Sequence, residues 1–282
     1  MTVPHETGRA RSGELGIHYR KLGRPGAIPL IVVHGLSYFS YDWLGVGATL
    51  GHEREVVAMD MRGFGDSDCS VAKDYSVPAM GRDLLAVLDA LGWRRAVLVG
   101  HSMGARSATY VAAKAPDRAA GLVLVDYTPE NAPAGAQRVT EKVANQPDAF
   151  ASIEAAMQYL GAADRKRVEA YVKRTDAGYV LKRDLFFRDQ FRKALETGER
   201  PKLGVDMWQL LAEVHCPMLS LRGARSDMYA PETTNKMKAA NPRMQVVEIP
   251  GAGHDIPGDN PAALSAALAS FLQEYTHEHP RR

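Results

Sequence analysis

Cysteine is nearly absent from this chain: Cys69 and Cys216 are its only two thiols. A disulfide framework is therefore excluded, and both cysteines are expected to be reduced, partly buried small hydrophobes. An excess of either charge is lacking as well. Against 35 Lys and Arg stand 33 Asp and Glu, a formal net charge of +2, which argues against a nucleic-acid-binding surface. Long apolar runs are missing too. Stretches such as Ala96–Val99 and Leu122–Val125 fall far short of the about 20 residues that span a bilayer, so no membrane partner is expected. Met1–Glu14 has no apolar stretch behind its charges and does not read as a signal peptide, which makes the cytoplasm the expected compartment. Neither Gly-x-x-x-x-Gly-Lys-Ser/Thr nor Gly-x-Gly-x-x-Gly occurs, which leaves a nucleotide cradle unsupported. No Cys or His cluster has zinc spacing, and His277 and His279 read as solvated, so neither metal nor cofactor is expected.

What the chain does contain is ample material for a core, with 45% hydrophobic and 24% charged residues. At about 150 residues per domain its length suggests about two domains, although single α/β domains also reach it. The segments Pro29–His34, Glu55–Asp60, Arg95–Gly100 and Gly121–Asp126 are nearly continuous in apolar residues. That is the pattern of strands covered on both faces of a parallel sheet. Helical patterns lie between them. Ala79–Leu91 places Leu84, Leu85, Leu88 and Leu91 at helical spacing with Gly92 as its C-cap, and alanine-rich Met103–Ala115 stops before Pro116. Strand alternating with helix indicates a right-handed βαβ series.

After Asp126 the alternation breaks. No convincing strand precedes Pro217–Gly223, and the amphipathic segments Ala149–Leu160 and Asp164–Arg174, with the charged aromatic run Tyr179–Arg188, read as a helical insertion. A helix at Pro231–Ala240, a strand at Gln245–Ile249 and a helix at Pro261–Tyr275 resume the pattern, and the tail His277–Arg282 reads as frayed.

The strongest local signal is Gly100-His101-Ser102-Met103-Gly104. It fits Gly-x-Ser-x-Gly and falls between an apolar strand and a helix, where a sharp turn exposes the serine hydroxyl. The helix that follows aims its N-terminal amides and positive dipole end at a developing oxyanion. A serine is a weak nucleophile without a base. His5, His18 and His52 lack supporting context, His215 sits at a strand entry, and His101 adjoins the serine in a strained turn. His254 lies in the glycine-rich loop Pro250–Pro257 directly after the last strand, on the rim that Ser102 occupies, and is the expected base.

Together these pieces resemble the α/β-hydrolase fold superfamily, in its serine-nucleophile, esterase- or amidase-like branch. The resemblance rests on Val33-His34-Gly35-Leu36, Asp60–Asp68, the Ser102 elbow and Gly253-His254, in family order and spread over nearly the whole chain. It implies a mostly parallel eight-stranded sheet with helices on both faces and a helical cap inserted after the sixth strand. The core domain would comprise residues 1–130 and 206–282, and the cap 131–205. The resemblance also implies that the backbone N–H groups of Leu36 and Met103 form the oxyanion hole. His34 and the charges of Asp60–Asp68 would then be structural.

In many members of that family the triad acid follows the seventh strand as Gly-x-x-Asp. Here that register reads Gly223-Ala224-Arg225-Ser226, with Asp227 one residue later. The sixth strand instead ends in Asp126, and some branches carry the acid there. Asp126 is the expected acid and Asp227 the alternative; Asp255 is too close to His254 to orient it. The expected activity is hydrolysis of a small carboxylic ester or amide through an acyl-enzyme. The same triad also serves C–C bond hydrolysis, lactone opening or cofactor-free perhydrolysis, and the fold serves some non-catalytic receptors. A serine at the elbow argues against dehalogenase or epoxide hydrolase chemistry, which uses an aspartate. The expected partner is a small-molecule acyl substrate, and the expected state a monomer or homodimer. Tyr38, Phe39, Tyr41 and Trp43 read either as a pocket wall or as the buried face of the first helix. Arg183 and Arg188 read as solvated surface charge rather than as a carboxylate site.

Overall fold

The computed structural model describes residues 3–199 and 203–277. Its strands are β1 (Glu6–Ser12), β2 (Leu15–Gly23), β3 (Leu30–Val33), β4 (Glu55–Met59), β5 (Ala96–His101), β6 (Ala119–Val125), β7 (Val172–Thr175), β8 (Gly178–Leu181), β9 (Met218–Gly223) and β10 (Met244–Ile249). Eight of them form one sheet in the order β1-β2-β4-β3-β5-β6-β9-β10. The sheet is mixed. From β4 to β10 neighbours run parallel, whereas β2 is antiparallel to both β1 and β4.

Every residue of β3, β5, β6 and β9 is buried, which is why these strands read as unbroken apolar runs. Alternate side chains feed two separate layers. Ile31, Val33, Leu98, Leu122 and Leu124 face one core, which includes residues of helices Val77–Ala90, Met103–Lys114 and Met207–Ala212. Val32, Val97, Val99, Val123 and Leu219 face the other, with residues of helices Leu44–Leu50 and Pro261–His277. The β1–β2 hairpin carries no such run. Ala10 is the one buried residue of β1, so this polar edge strand leaves no apolar signature.

Between β6 and β9 lie helices Pro133–Ala144, Ile153–Leu160, Arg165–Tyr171, Leu185–Thr197 and Met207–Ala212. The expectation of a strandless insertion is corrected here: β7 and β8 pair as an antiparallel hairpin. Each strand is only four residues long, and Lys173, Arg174 and Thr175 are exposed, so neither an apolar run nor a clear alternation marks them. Phe150 reinforces the ribbon by exchanging two backbone hydrogen bonds with Tyr179, at 2.7 and 2.8 Å.

Two further expectations are corrected. Arg183 and Arg188 are buried rather than solvated, at 6% and 7% exposure. Arg183 donates to Gln146 Oε1, to the Leu36 carbonyl at 3.3 Å and to Ser37 Oγ at 3.4 Å, while Arg188 pairs with Asp148 and Asp189. A guanidinium tolerates burial when its donors all find acceptors, which sequence spacing does not reveal. Of the free cysteines, Cys216 is half-buried but Cys69 is exposed, because it follows a surface turn rather than lying in a strand.

Asp60 closes β4 with a fully buried carboxylate that accepts from Ser40 N at 2.7 Å, Asp66 N at 3.0 Å and His18 Nδ1 at 2.9 Å. Burial alone would raise its pKa. These donors and the His34 ring outweigh burial and bring it down to about 2. Asp68 meanwhile pairs with Arg9 and accepts from Gly16 N, so the loop's carboxylates hold β1, β2 and β4 together. Among the described residues no helix is long and apolar enough to cross a membrane. The tail reading falls on the His277 side chain and residues 278–282, outside the described residues.

Candidate active site

β5 runs into Ser102 at φ 50° and ψ −116°, a conformation that strains a residue with a Cβ. The turn is possible because its neighbours lack one. A Cβ on Gly100 would lie 2.3 Å from Ala105 Cα, and one on Gly104 would lie 2.3 Å from the Val33 carbonyl oxygen. Ser102 N donates to the Val125 carbonyl at 3.0 Å, which ties the turn to β6. Asp126, the next residue after β6, also has a positive φ, 44°. Both side chains therefore project from the C-terminal edge of adjacent parallel strands.

His254 arrives on the loop after β10. Its Nε2 lies 3.0 Å from Ser102 Oγ, and its Nδ1 lies 2.7 Å from Asp126 Oδ2. Asp126 is 2% exposed, and two further donors satisfy its carboxylate: Gly223 N at 2.9 Å and Ser226 Oγ at 2.5 Å. Ser226 Oγ in turn accepts from Met228 N and Tyr229 N, both at 3.2 Å. The position that holds aspartate in many relatives thus holds a hydroxyl donor to the aspartate at position 126. Among the described residues Asp227 makes no hydrogen bond or ion pair with His254, whose Nδ1 is held by Asp126. Its carboxylate is bound to Arg138 at 2.6 and 2.7 Å, and that bond leads the causes holding its pKa below the usual range.

The other histidines near the elbow have different work. His34 donates from Nδ1 to the Gly35 carbonyl at 2.7 Å and accepts Met61 N–H on Nε2 at 3.0 Å, which fixes a neutral ring. His101 is fully buried and donates from Nε2 to the His254 carbonyl at 2.9 Å. Burial, and next the His254 ring, lower its pKa to about 3, so it holds the His254 loop as a neutral donor. Nothing in the Gly-His-Ser pattern signals this role.

Leu36, Ser102, Met103 and His254 line one cavity of about 390 Å³. Met103 opens its helix, so its N–H has no intrahelical acceptor. Of the aromatics after Leu36, Tyr38 lines this cavity and Tyr41 a neighbouring one, whereas Phe39 and Trp43 are core. Both alternatives for that segment therefore hold, residue by residue. Among the described residues, His18, Asp60 and Asp66 have metal-like spacing, but Arg20 pairs with both carboxylates and Lys182 with Asp66. The chain's own cations occupy that cluster.

A serine, a histidine and an aspartate are thus hydrogen-bonded in series at the C-terminal edge of this sheet. Residues 28–261 match the family model for the alpha/beta hydrolase fold, and the chain belongs to that family. It is 30% identical over 263 residues to the N-formylmaleamate deformylase of Pseudomonas putida, covering 93% of each chain. It is 28% identical over 252 residues to the esterase YbfF of Escherichia coli, covering 87% of this chain and 93% of the other. Among solved structures, that of E-2-(acetamidomethylene)succinate hydrolase superposes with a TM-score of 0.84 at 25% identity, covering 96% of this chain and 100% of the other.

Proposed function

We propose that the protein is a serine hydrolase that cleaves a small carboxylic ester or amide through an acyl-enzyme. The observation that carries this reading is the unbroken hydrogen-bond chain from Asp126 through His254 to Ser102. The names of the relatives support it, since one is a deformylase and another an esterase.

Ser102 Oγ attacks the acyl carbon while its proton passes to His254 Nε2. The Asp126 carboxylate holds Nδ1–H and stabilises the imidazolium that forms. The tetrahedral oxyanion sits between the N–H groups of Leu36 and Met103. As it collapses, the bond to the leaving alcohol or amine breaks, and that group takes the proton from Nε2. Water then repeats the sequence on the acyl-enzyme and releases the acid with Ser102 regenerated. Residues 131–205 act as a cap that selects the substrate; Val139, Lys142 and Phe191 come from this segment and line the cavity.

Rapid mixing with a p-nitrophenyl ester tests this reading. Nitrophenol should appear in a burst equal to the enzyme concentration, followed by steady turnover. Release no faster than in buffer would refute it.

A further inference from the structure

Most charged side chains around the cavity already have partners. Arg138 is bound to Asp227, and Glu130 is bound to Lys236 at 2.6 Å. Arg106 is the exception. It lines the cavity and makes no hydrogen bond or ion pair among the described residues. It sits on helix Met103–Lys114, one turn beyond Ser102 and about 6 Å further along the axis. Its electrostatic neighbour is Tyr127, which directly follows Asp126.

Tyr127 is 3% exposed and also lines the cavity, yet among the described residues its hydroxyl has no hydrogen-bond partner. Burial raises its pKa, so the hydroxyl stays protonated and can donate. A buried donor without an acceptor is costly, and so is a poorly compensated cation; having both at one cavity calls for an explanation. Lys142, on the cavity wall, adds to the imbalance. Among the described residues its Nζ donates only to the Leu160 carbonyl, at 3.2 Å, and burial followed by the nearby Arg138, Arg183 and Arg167 lowers its pKa. Among its described residues the cavity therefore offers donors and positive charge, while its carboxylate, Glu130, is already paired with Lys236.

We infer that Arg106 and Tyr127 bind a carboxylate on the substrate, which makes the substrate class a short half-ester or half-amide of a dicarboxylic acid. A carboxylate accepts the guanidinium fork and the phenol O–H together, supplying the acceptors that both groups lack. Both anchors are near neighbours in sequence of triad residues, so the elements that hold the triad also set the spacing from the carboxylate to the scissile carbonyl. This inference deepens the hydrolase reading and rests on the same cavity.

The test is calorimetric binding of the monoamides of succinic, glutaric and adipic acid, each beside its neutral methyl ester. Full-length Ser102→Ala protein serves as the background, to prevent turnover. The free carboxylate of the best-fitting length should bind about 10- to 100-fold tighter than its ester. Arg106→Met should erase that preference, Arg106→Lys should keep part of it, and Tyr127→Phe should reduce it several-fold. Equal binding of acid and ester, binding of neither, or an undiminished preference in Arg106→Met would overturn the inference. Should Arg106→Met fail to fold, the acid-to-ester ratio and Tyr127→Phe decide. Failure of the hydrolase reading is seen separately: acid-selective binding with no nitrophenol release by the wild type refutes hydrolysis and leaves the anchor standing.

Discussion

Replacing Ser102 with alanine is expected to lower kcat on a p-nitrophenyl ester by about 10⁵- to 10⁶-fold. The expectation follows from geometry: Ser102 Oγ is the hydroxyl that lies 3.0 Å from His254 Nε2, and alanine leaves the base with no nucleophile to activate. KM should rise toward the dissociation constant, because a wild type that shows a burst deacylates slowly and keeps its KM below that constant, whereas the cavity walls that bind the substrate remain in the variant. The fold should be retained, since Oγ accepts no backbone cap at the start of its helix and the glycines that permit the turn are untouched. Steady-state kinetics beside a thermal melt measure both halves. Turnover within tenfold of the wild type would show that another group attacks.

The second large effect separates two neighbouring carboxylates. Asp126→Asn should cost about 10⁴-fold in kcat. An amide at position 126 can present N–H to His254 Nδ1, which places the ring proton on Nε2, where it cannot accept the proton of Ser102. Asp227→Asn should stay within a few-fold. Its ion pair with Arg138 joins two partly exposed side chains, 49% and 37%, and such pairs contribute at most about 1 kcal/mol. If Asp227→Asn loses orders of magnitude while Asp126→Asn does not, the assignment of the acid is wrong.

Position 126 shows how far a sequence can speak for a site. Serine at position 226 was legible as a vacancy, and Asp126 as its replacement at the end of the neighbouring strand. That the vacated position would return as a donor to the Asp126 carboxylate, through the Ser226 hydroxyl at 2.5 Å, was not legible. It depends on where β9 ends relative to β6. The central strands were readable because burial on both faces writes a continuous apolar run. β1, β2, β7 and β8 were not, because the edge strand β1, its antiparallel neighbour β2 and the β7–β8 ribbon keep polar residues among their apolar ones. Helix ends followed local rules, such as Pro at the start of Pro231–Ala240. The roles of Arg106, Tyr127, His101 and Arg183 depend on what faces each across the fold, and no spacing encodes that.

In the proposed mechanism Ser102 is a nucleophile activated by His254 and Asp126. Intact-mass and peptide-mapping spectrometry after reaction with a fluorophosphonate tests it most directly. One phosphonyl adduct per chain is expected, on Ser102, formed at a rate that collapses in His254→Ala and Asp126→Asn. A chain that stays unmodified, or that carries its adduct on another residue, would contradict it.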